Sequence, residues 1–496
     1  MISQSETPDD LNRPLAMAKQ FAEARDNIKA ARFYRLAGER AFAKYENDNA
    51  LYCFQQALAL TPDAQIENRY HIMFAIERVY SLASQPEARS ENLISLAALA
   101  DAIDDDQKRA DVAARLALYK LDAGENLDVI SVSRLAARIA QMAGAAAAEV
   151  ALYLVWSRAL IRLGDYDMAQ GKLNKALMLS RAHALREEEG TSLRFLGVVS
   201  EENGRYAAAK TYYKQALAIY ETINDKRGQS HTLNNLGKVA YDQGEFTAAL
   251  RYWDFAQSGY QTIGDKPGSC RILINQSAIC MDVGDYTKAL QYSDEALSLS
   301  HEIQLRFGEC LAMINIGLIH NYQTSYKKAN EYGELALNLA LKMKSKRLEG
   351  IARMSLAKAM TKLEKWTEAT DQYWQALALW HELDQANLTA DVQASLAEIA
   401  LLTNNLSEAQ THTNEFLAAL QNRDGLDGTE SPFRIYLVGY QVLKAAKDSR
   451  ANAILKNAYA MLQERAKAIV DDKIEQMFLE EVKVHHQIVS EYEDNK

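Results

Sequence analysis

The chain has 496 residues, a formal net charge of −10, and only 6 prolines and 22 glycines. So few helix-breaking residues indicate a mostly helical chain, and the acidic balance argues against direct nucleic-acid binding, because lysine and arginine must neutralise phosphates. The most apolar stretch, residues 142–156, is too short to cross a bilayer and contains Glu149, so we expect no membrane partner.

The N-terminal residues lack the basic and apolar segments of a signal peptide. The four cysteines are Cys53, Cys270, Cys280 and Cys310, and no two of them form a C-x-x-C pair, which favours free thiols in a reducing compartment. We therefore expect a cytoplasmic protein.

The first predicted elements form a helical hairpin region over residues 1–65, with its clearest pattern in residues 36–63. Divergent helical repeats are expected over residues 66–149. Within them, the three aspartates at 104–106 predict a solvated helix start, because a carboxylate there accepts bonds from free backbone N–H groups.

A period of 40 residues runs through residues 150–429, in seven consecutive units without an insertion or deletion. "LGKVAYDQGEFTAALRYWDFA", from Leu236, follows "LGVVSEENGRYAAAKTYYKQA" and precedes "QSAICMDVGDYTKALQYSDEA" at this spacing. One small residue recurs in every unit: Ala169, Ala209, Ala249, Ala289, Ala329, Ala369 and Ala409. Three residues earlier stands a large side chain: Tyr166, Tyr206, Phe246, Tyr286, Tyr326, Trp366 and Leu406. Two positions before that, four units have a glycine: Gly164, Gly204, Gly244 and Gly284.

This pattern predicts a helical hairpin in each unit. The glycine ends the first helix, because it adopts a left-handed conformation at little cost. The large side chain opens the second helix, and alanine removes bulk where two backbones approach. Gly197, Gly237 and Gly317 are expected to do the same on the first helix. One hairpin cannot bury its own apolar face, so neighbouring hairpins must stack.

The pattern resembles the tetratricopeptide repeat family. The residues that carry the resemblance in the clearest unit are Leu236, Gly237, Gly244, Phe246, Ala249 and Ala256. The resemblance implies an all-α, right-handed tetratricopeptide repeat superhelix, an α-solenoid of stacked helical hairpins. Departures from the pattern are Thr324, Glu364 and Asn404 for the turn glycine, and Ser277, Ala357 and Ala397 for the first-helix glycine.

After a loop predicted in "QNRDGLDGTESPF", residues 430–496 are expected to form capping helices. The end segments 30–60 and 454–482 are similar to the C-terminal repeat arms of large bacterial STAND-type signalling ATPases, in which the arm is the sensor. The chain contains no G-x-x-x-x-G-K-[ST] motif. It is therefore either a stand-alone arm or a fragment of a larger protein.

Asparagine recurs on the first helix of three successive units, at Asn235, Asn275 and Asn315. The resemblance places that helix on the concave groove, where an amide ladder binds the backbone of an extended peptide with its donor and acceptor. The alternative is that these amides bond within or between helices. By helical spacing, the same face carries Asn234, His231, Lys238, Arg194, Arg271, Tyr241 and Lys358. The basic residues among them suggest an acidic contact.

No catalytic or metal-binding motif is present. The adjacent His485 and His486 point about 100° apart on a helix and cannot chelate one ion together. Cys270 and Cys310, one period apart, lack further ligands for a metal. We therefore expect no cofactor, no metal and no enzymatic activity.

The expected function is binding of a protein or peptide in the groove, as sensor or scaffold in a signalling or regulatory assembly. The alternative is a regulatory arm that senses a small ligand or signalling peptide by a change of curvature. A long polar ladder favours the first function, and a closed aromatic pocket favours the second.

Overall fold

The structure is a computed structural model, and it describes residues 8–82, 85–383, 385–421, 429 and 431–495. Within these ranges the chain forms 25 helices and no strand, which confirms the all-α prediction. The chain divides into two compact units, Met1–Thr232 and Leu233–Lys496, and helix α12 contributes residues to both.

The described part of the first unit contains eleven complete helices and the start of α12. They are α1 (Pro8–Glu23), α2 (Asn27–Ala43), α3 (Asn47–Leu60), α4 (Ile66–Tyr80), α5 (Pro86–Ile103), α6 (Asp106–Asp122), α7 (Asn126–Met142), α8 (Ala146–Arg162), α9 (Tyr166–Ala182), α10 (Arg186–Glu202) and α11 (Tyr206–Thr222). From α1 to α11 each helix packs on the next, and α8 also packs on α10, so successive hairpins stack as in an α-solenoid.

Among its described residues, the second unit contains the rest of α12 and thirteen further helices. They are α12 (Lys226–Asp242), α13 (Phe246–Ile263), α14 (Lys266–Asp282), α15 (Tyr286–Glu302), α16 (Arg306–Tyr322), α17 (Tyr326–Lys342), α18 (Lys346–Lys362), α19 (Trp366–Glu382), α20 (Ala386–Leu402), α21 (Leu406–Gln421), α22 (Pro432–Ala445), α23 (Ala451–Lys467), α24 (Asp472–Glu480) and α25 (Lys483–Asp494). The first helices α14, α16, α18 and α20 pack side by side along the stack.

The helix boundaries of the seven regular units follow the sequence pattern. The large side chain of each unit is the first residue of the second helix, as predicted. Two residues before it the backbone is left-handed in every unit, with φ between +59° and +86°. The residues in this conformation are Gly164, Gly204, Gly244, Gly284, Thr324, Glu364 and Asn404. The three departures from glycine therefore keep the same turn, although a side chain makes that conformation more costly.

Small residues allow close packing inside each hairpin. The alanine that recurs in all seven units is completely buried. A Cβ atom on Gly237 would lie 2.3 Å from Trp253 Nε1, and one on Gly197 would lie 2.4 Å from Tyr213 Cε1. In both hairpins the glycine therefore makes room for an aromatic ring of the second helix, whereas the sequence predicted the approach of a second backbone.

The pattern of helical hairpins extends towards the N-terminus. Helices α2 and α3 pair through Gly38, where an added Cβ would lie 2.7 Å from the Phe54 ring. Helices α6 and α7 meet at Gly124, which has a φ of +85°. Asp105 caps α6 by accepting bonds from the backbone N–H groups of Gln107 and Lys108, as the sequence predicts.

Three further observations bear on the predicted organisation. The division into compact units falls between residues 232 and 233, inside the regular array, and the four-part division made from sequence stays a prediction. The predicted loop after residue 420 falls mostly outside the described residues. Among the helices described, none is long and apolar enough to cross a membrane, and all four cysteines are buried free thiols.

Candidate functional site

The three ladder asparagines lie on α12, α14 and α16, and we call the side of these helices that carries them the ladder face. The Asn275 amide donates to the Asn234 side-chain oxygen at 3.2 Å, so it links α14 to α12. The Asn315 amide donates to the backbone carbonyl of Ile274 at 3.3 Å, so it links α16 to α14. Two of the three ladder amides therefore bond between neighbouring first helices.

The adjacent pair Asn234 and Asn235 divides between two environments. Asn234 joins neighbouring helices, because its backbone carbonyl accepts the Trp253 indole N–H at 3.1 Å and its side-chain oxygen accepts from the Asn275 amide. Asn235 is half-buried, while Asn315 is only 9% exposed. The accessible end of the ladder is therefore the end at Asn235.

The other predicted residues of the second unit differ in their exposure. Lys238 and Arg271 are exposed, and Lys238 approaches Asp242 at 3.4 Å. The Tyr241 hydroxyl donates to Asp282 at 2.7 Å, and Lys358 is half-buried on α18.

Arg194 and His231 belong to the first unit. Both are half-buried, and the Arg194 guanidinium lies 4.3 Å from the centre of the Phe195 ring. The structure thus places these two residues in a different compact unit from the ladder asparagines.

A cavity of about 170 Å³ lies two helical turns beyond the asparagines, within the second unit. The first helices line it with side chains near their C-terminal ends: Tyr241, Asp242, Met281, Asp282 and Tyr322. The C-terminal helices α22 to α25 supply the facing wall, which includes Phe433, Arg434, Met461, Arg465, Phe478 and His485. Residues seven apart share a helix face, so the C-terminal helices cover part of the ladder face.

Aromatic rings hold the C-terminal helices against the array. Phe478 is 1% exposed, and its ring centre lies 6.1 Å from that of Phe246 and 6.2 Å from that of Phe433. The His485 ring packs on both Phe433 and Phe478, at 4.7 Å and 4.3 Å. At Gly284 the approach is so close that an added Cβ would lie 2.8 Å from the Glu481 Cβ.

Charged groups border the cavity on both sides. Burial and the neighbouring Asp282 carboxylate raise the pKa of Tyr241 well above its ordinary value, so its hydroxyl stays a donor to that carboxylate. Arg434 is paired with Glu398 at 2.6 Å. Burial alone would raise the pKa of Glu398, but the charges of Arg434 and Lys362 lower it to about 2.

Comparison with known families identifies the repeat. The model of the tetratricopeptide repeat matches residues 147–222, 188–254 and 228–299. These residues are tetratricopeptide repeats. No curated protein matches the sequence.

Several solved structures are similar to this chain. A signal transduction ATPase with numerous domains (STAND), which has a tetratricopeptide repeat sensor and comes from Pyrococcus horikoshii, is 15% identical; the match covers 91% of this chain and 74% of that one, with a TM-score of 0.48. Aspartyl phosphate phosphatase F from Bacillus subtilis is 12% identical over 68% of this chain and 96% of that one, with a TM-score of 0.46. A Rap protein complexed with competence and sporulation factor is 14% identical over 70% and 99%, with a TM-score of 0.45.

The cavity next to the tetratricopeptide repeats is the feature that sequence reasoning missed. Asp242 and Asp282 were visible on the first helices, but their partners Arg465, Phe478 and His485 lie more than 180 residues further along the chain. The apolar spacing of the C-terminal helices indicates that they pack on something. It does not indicate which repeats they meet.

His485 should make the packing of α24 and α25 on the repeats sensitive to acid. It is 6% exposed, and burial lowers its pKa to about 4, against about 6.5 in an unfolded chain. As the pH falls through 6.5, the unfolded form binds a proton first, so stability is lost progressively down to pH 4. Between pH 7 and pH 5 we expect a loss of about 2 kcal/mol in the free energy of opening, measured by amide hydrogen exchange in these helices.

The exposed neighbour His486 provides the control. His485→Gln should remove the pH-dependent part of the loss, whereas His486→Gln should retain it. A wild-type opening free energy that stays constant between pH 7 and pH 5 would show that the buried imidazole is not the acid-sensitive group.

Proposed function

We propose that this protein is a non-enzymatic interaction module that binds an extended segment of a partner protein on the ladder face, as sensor or scaffold in a signalling or regulatory complex. Tetratricopeptide repeats are generally protein-interaction scaffolds, and the matched residues include Asn235 and Asn275 of the ladder face. The observation that carries the proposal is the polar surface formed by half-buried Asn235 and Asn275 with exposed Lys238 and Arg271.

The hydrogen bonds of the ladder are compatible with peptide binding. The Asn275 bond uses one amide N–H and leaves the side-chain oxygen of Asn275 to accept from a peptide N–H. Asn235 offers both a donor and an acceptor at the next step along the face. Arg271 and Lys238 add positive charge, which favours a segment that carries a carboxylate. The buried free cysteines are consistent with a reducing compartment, so we propose that binding takes place in the cytoplasm.

The test compares two triple variants of the full chain. Asn235→Ala, Lys238→Ala and Arg271→Ala remove accessible polar groups of the ladder face and leave the hydrogen bonds of Asn275 and Asn315 to neighbouring helices in place. The matched control, Arg251→Ala, Gln291→Ala and Lys288→Ala, removes polar side chains from the second helices α13 and α15. Partners captured from a source lysate by each protein are compared by quantitative mass spectrometry.

The proposal predicts a protein that the wild type and the control capture equally and that the ladder-face variant captures at least tenfold less. That loss corresponds to about 1.4 kcal/mol of binding free energy. Equal capture by both variants would assign binding to another surface and refute the proposal.

A second candidate function is the sensing of a small ligand. The specific observation that favours it is the partly enclosed cavity with an aromatic wall between the repeats and the C-terminal helices. Because two sets of helices form its walls, a ligand there would stabilise one arrangement of these helices over another.

A further inference from the structure

The cavity of the second unit offers hydrogen-bond acceptors on two sides. Asp242 and Asp282 line it from the first helices, and each carboxylate has about four lone-pair positions, so it can accept from a ligand as well as from its protein partners. His485 faces it from α25 and adds a third acceptor. Its Nδ1 lies 2.7 Å from the Phe478 carbonyl oxygen, which can only accept, so Nδ1 carries the proton.

The other ring nitrogen of His485 is therefore an acceptor. The imidazole is neutral at pH 7, because burial and the nearby charge of Arg465 lower its pKa to about 4. A ligand with an N–H group in the cavity could donate to Nε2 of this 6% exposed side chain.

One guanidinium at the cavity is not paired with a carboxylate. Arg465 lies 5.6 Å from the Phe433 ring, and no described carboxylate comes within 4.0 Å of it. Arg434 differs, because its guanidinium donates to Glu398 at 2.6 Å and to Ser395 at 3.1 Å. The cavity is therefore lined by one guanidinium that is not paired with a carboxylate, together with the hydrogen-bond acceptors of Asp242, Asp282 and His485.

The remaining wall is apolar and sets the size of an occupant. Phe433, Phe478, Met281 and Met461 line the cavity. A cavity of about 150 Å³ in another protein holds benzene, so a volume of about 170 Å³ suits a compact molecule with a short apolar part. The two aspartates would repel a ligand that carries only negative charge, and Arg465 would repel a ligand that carries only positive charge.

We propose that this cavity binds a small zwitterion of the amino-acid class, with its ammonium group towards Asp242 and Asp282, its carboxylate towards Arg465 and an apolar side chain against Phe433 and Phe478. This proposal rests on the second candidate function and names its ligand. Because α23 to α25 supply Arg465, Phe478 and His485, a ligand in the cavity stabilises the packing of these helices on the repeats.

The experiment measures binding of the twenty coded L-amino acids to the full chain, first by thermal shift and then by calorimetry. We expect leucine, isoleucine, valine or methionine to raise the unfolding temperature by about 3 °C at ten times its Kd. For leucine, 3-methylbutylamine lacks the carboxylate and 4-methylpentanoate lacks the ammonium group. Each analogue of a binding amino acid should bind at least tenfold more weakly.

Matched variants locate the site. Arg465→Gln should weaken amino-acid binding at least tenfold, whereas Lys467→Gln, which removes an exposed charge from the same helix, should leave it unchanged. The proposal is overturned if none of the twenty amino acids binds, if the amine binds as tightly as the amino acid, or if Arg465→Gln binds normally. Partner capture through Asn235, Lys238 and Arg271 is measured separately, so the two proposals fail independently.

Discussion

Replacing Glu77 with glutamine should lower the free energy of unfolding of the first unit by about 3 to 5 kcal/mol. Glu77 is completely buried on α4. Its carboxylate accepts from Arg89 Nε at 3.1 Å and lies 3.3 Å from Arg115 Nε. Glutamine has nearly the same shape but no charge, so both guanidiniums would remain buried without their shared anion.

The titration behaviour of this cluster shows how costly its burial is. Burial raises the pKa of Glu77 even though two arginines lower it, and burial also lowers the pKa of Arg115. Each group is therefore tolerated only because the others are present. Arg89 extends the network to Asp122, with 2.9 Å between the charged atoms.

Urea unfolding followed by circular dichroism measures the effect, with Glu91→Gln as the control. Glu91 is exposed on α5, and its replacement should change stability by less than about 0.5 kcal/mol. A loss below about 1 kcal/mol for Glu77→Gln would mean that water or a rearranged side chain compensates the two arginines.

Trp253→Ala should destabilise the second unit by about 3 to 5 kcal/mol. Trp253 is 1% exposed, packs over Gly237 and donates its indole N–H to the Asn234 carbonyl. Alanine leaves a cavity inside the hairpin and removes the indole hydrogen bond to the Asn234 backbone carbonyl below the ladder face. Phe255→Ala is the control, because that ring is 62% exposed on the same helix.

A double-mutant cycle with Gly237→Ala and Trp253→Ala measures how strongly the two positions depend on each other. Gly237→Ala alone should cost about 1 to 3 kcal/mol, because the added Cβ would overlap the indole ring. In the Trp253→Ala background the same change should cost much less, since the space is empty. Additive effects in chemical unfolding would show that Gly237 and Trp253 do not share this contact.

The helix boundaries were predictable because they depend on local chemistry. Tyr166, Phe246 and Trp366 begin second helices at the positions that the 40-residue period indicates. Left-handed turns persist even at Thr324 and Glu364, because stacking on both sides outweighs the local cost of a side chain there. The period therefore carried most of the information about the fold.

The site was less predictable, because it depends on contacts between helices. The spacing of Asn235, Asn275 and Asn315 shows that they share a face, and it says nothing about what each amide meets. Asn275 reaches Asn234 and Asn315 reaches a backbone carbonyl, at distances set by how the first helices stack. The cavity forms only because α24 and α25 pack against the repeats, and a periodic sequence pattern does not predict that contact.

The left-handed turns have a consequence for how this protein grows and shrinks over generations. Each regular unit leaves its first helix through the same backbone geometry, whichever side chain stands there. A segment of coding DNA that specifies 40 residues can therefore be duplicated or deleted as one structural unit. Recombination that copies or removes one such piece at a turn keeps every helix whole and preserves the order of the exposed faces, so the array can gain or lose length without a new folding solution.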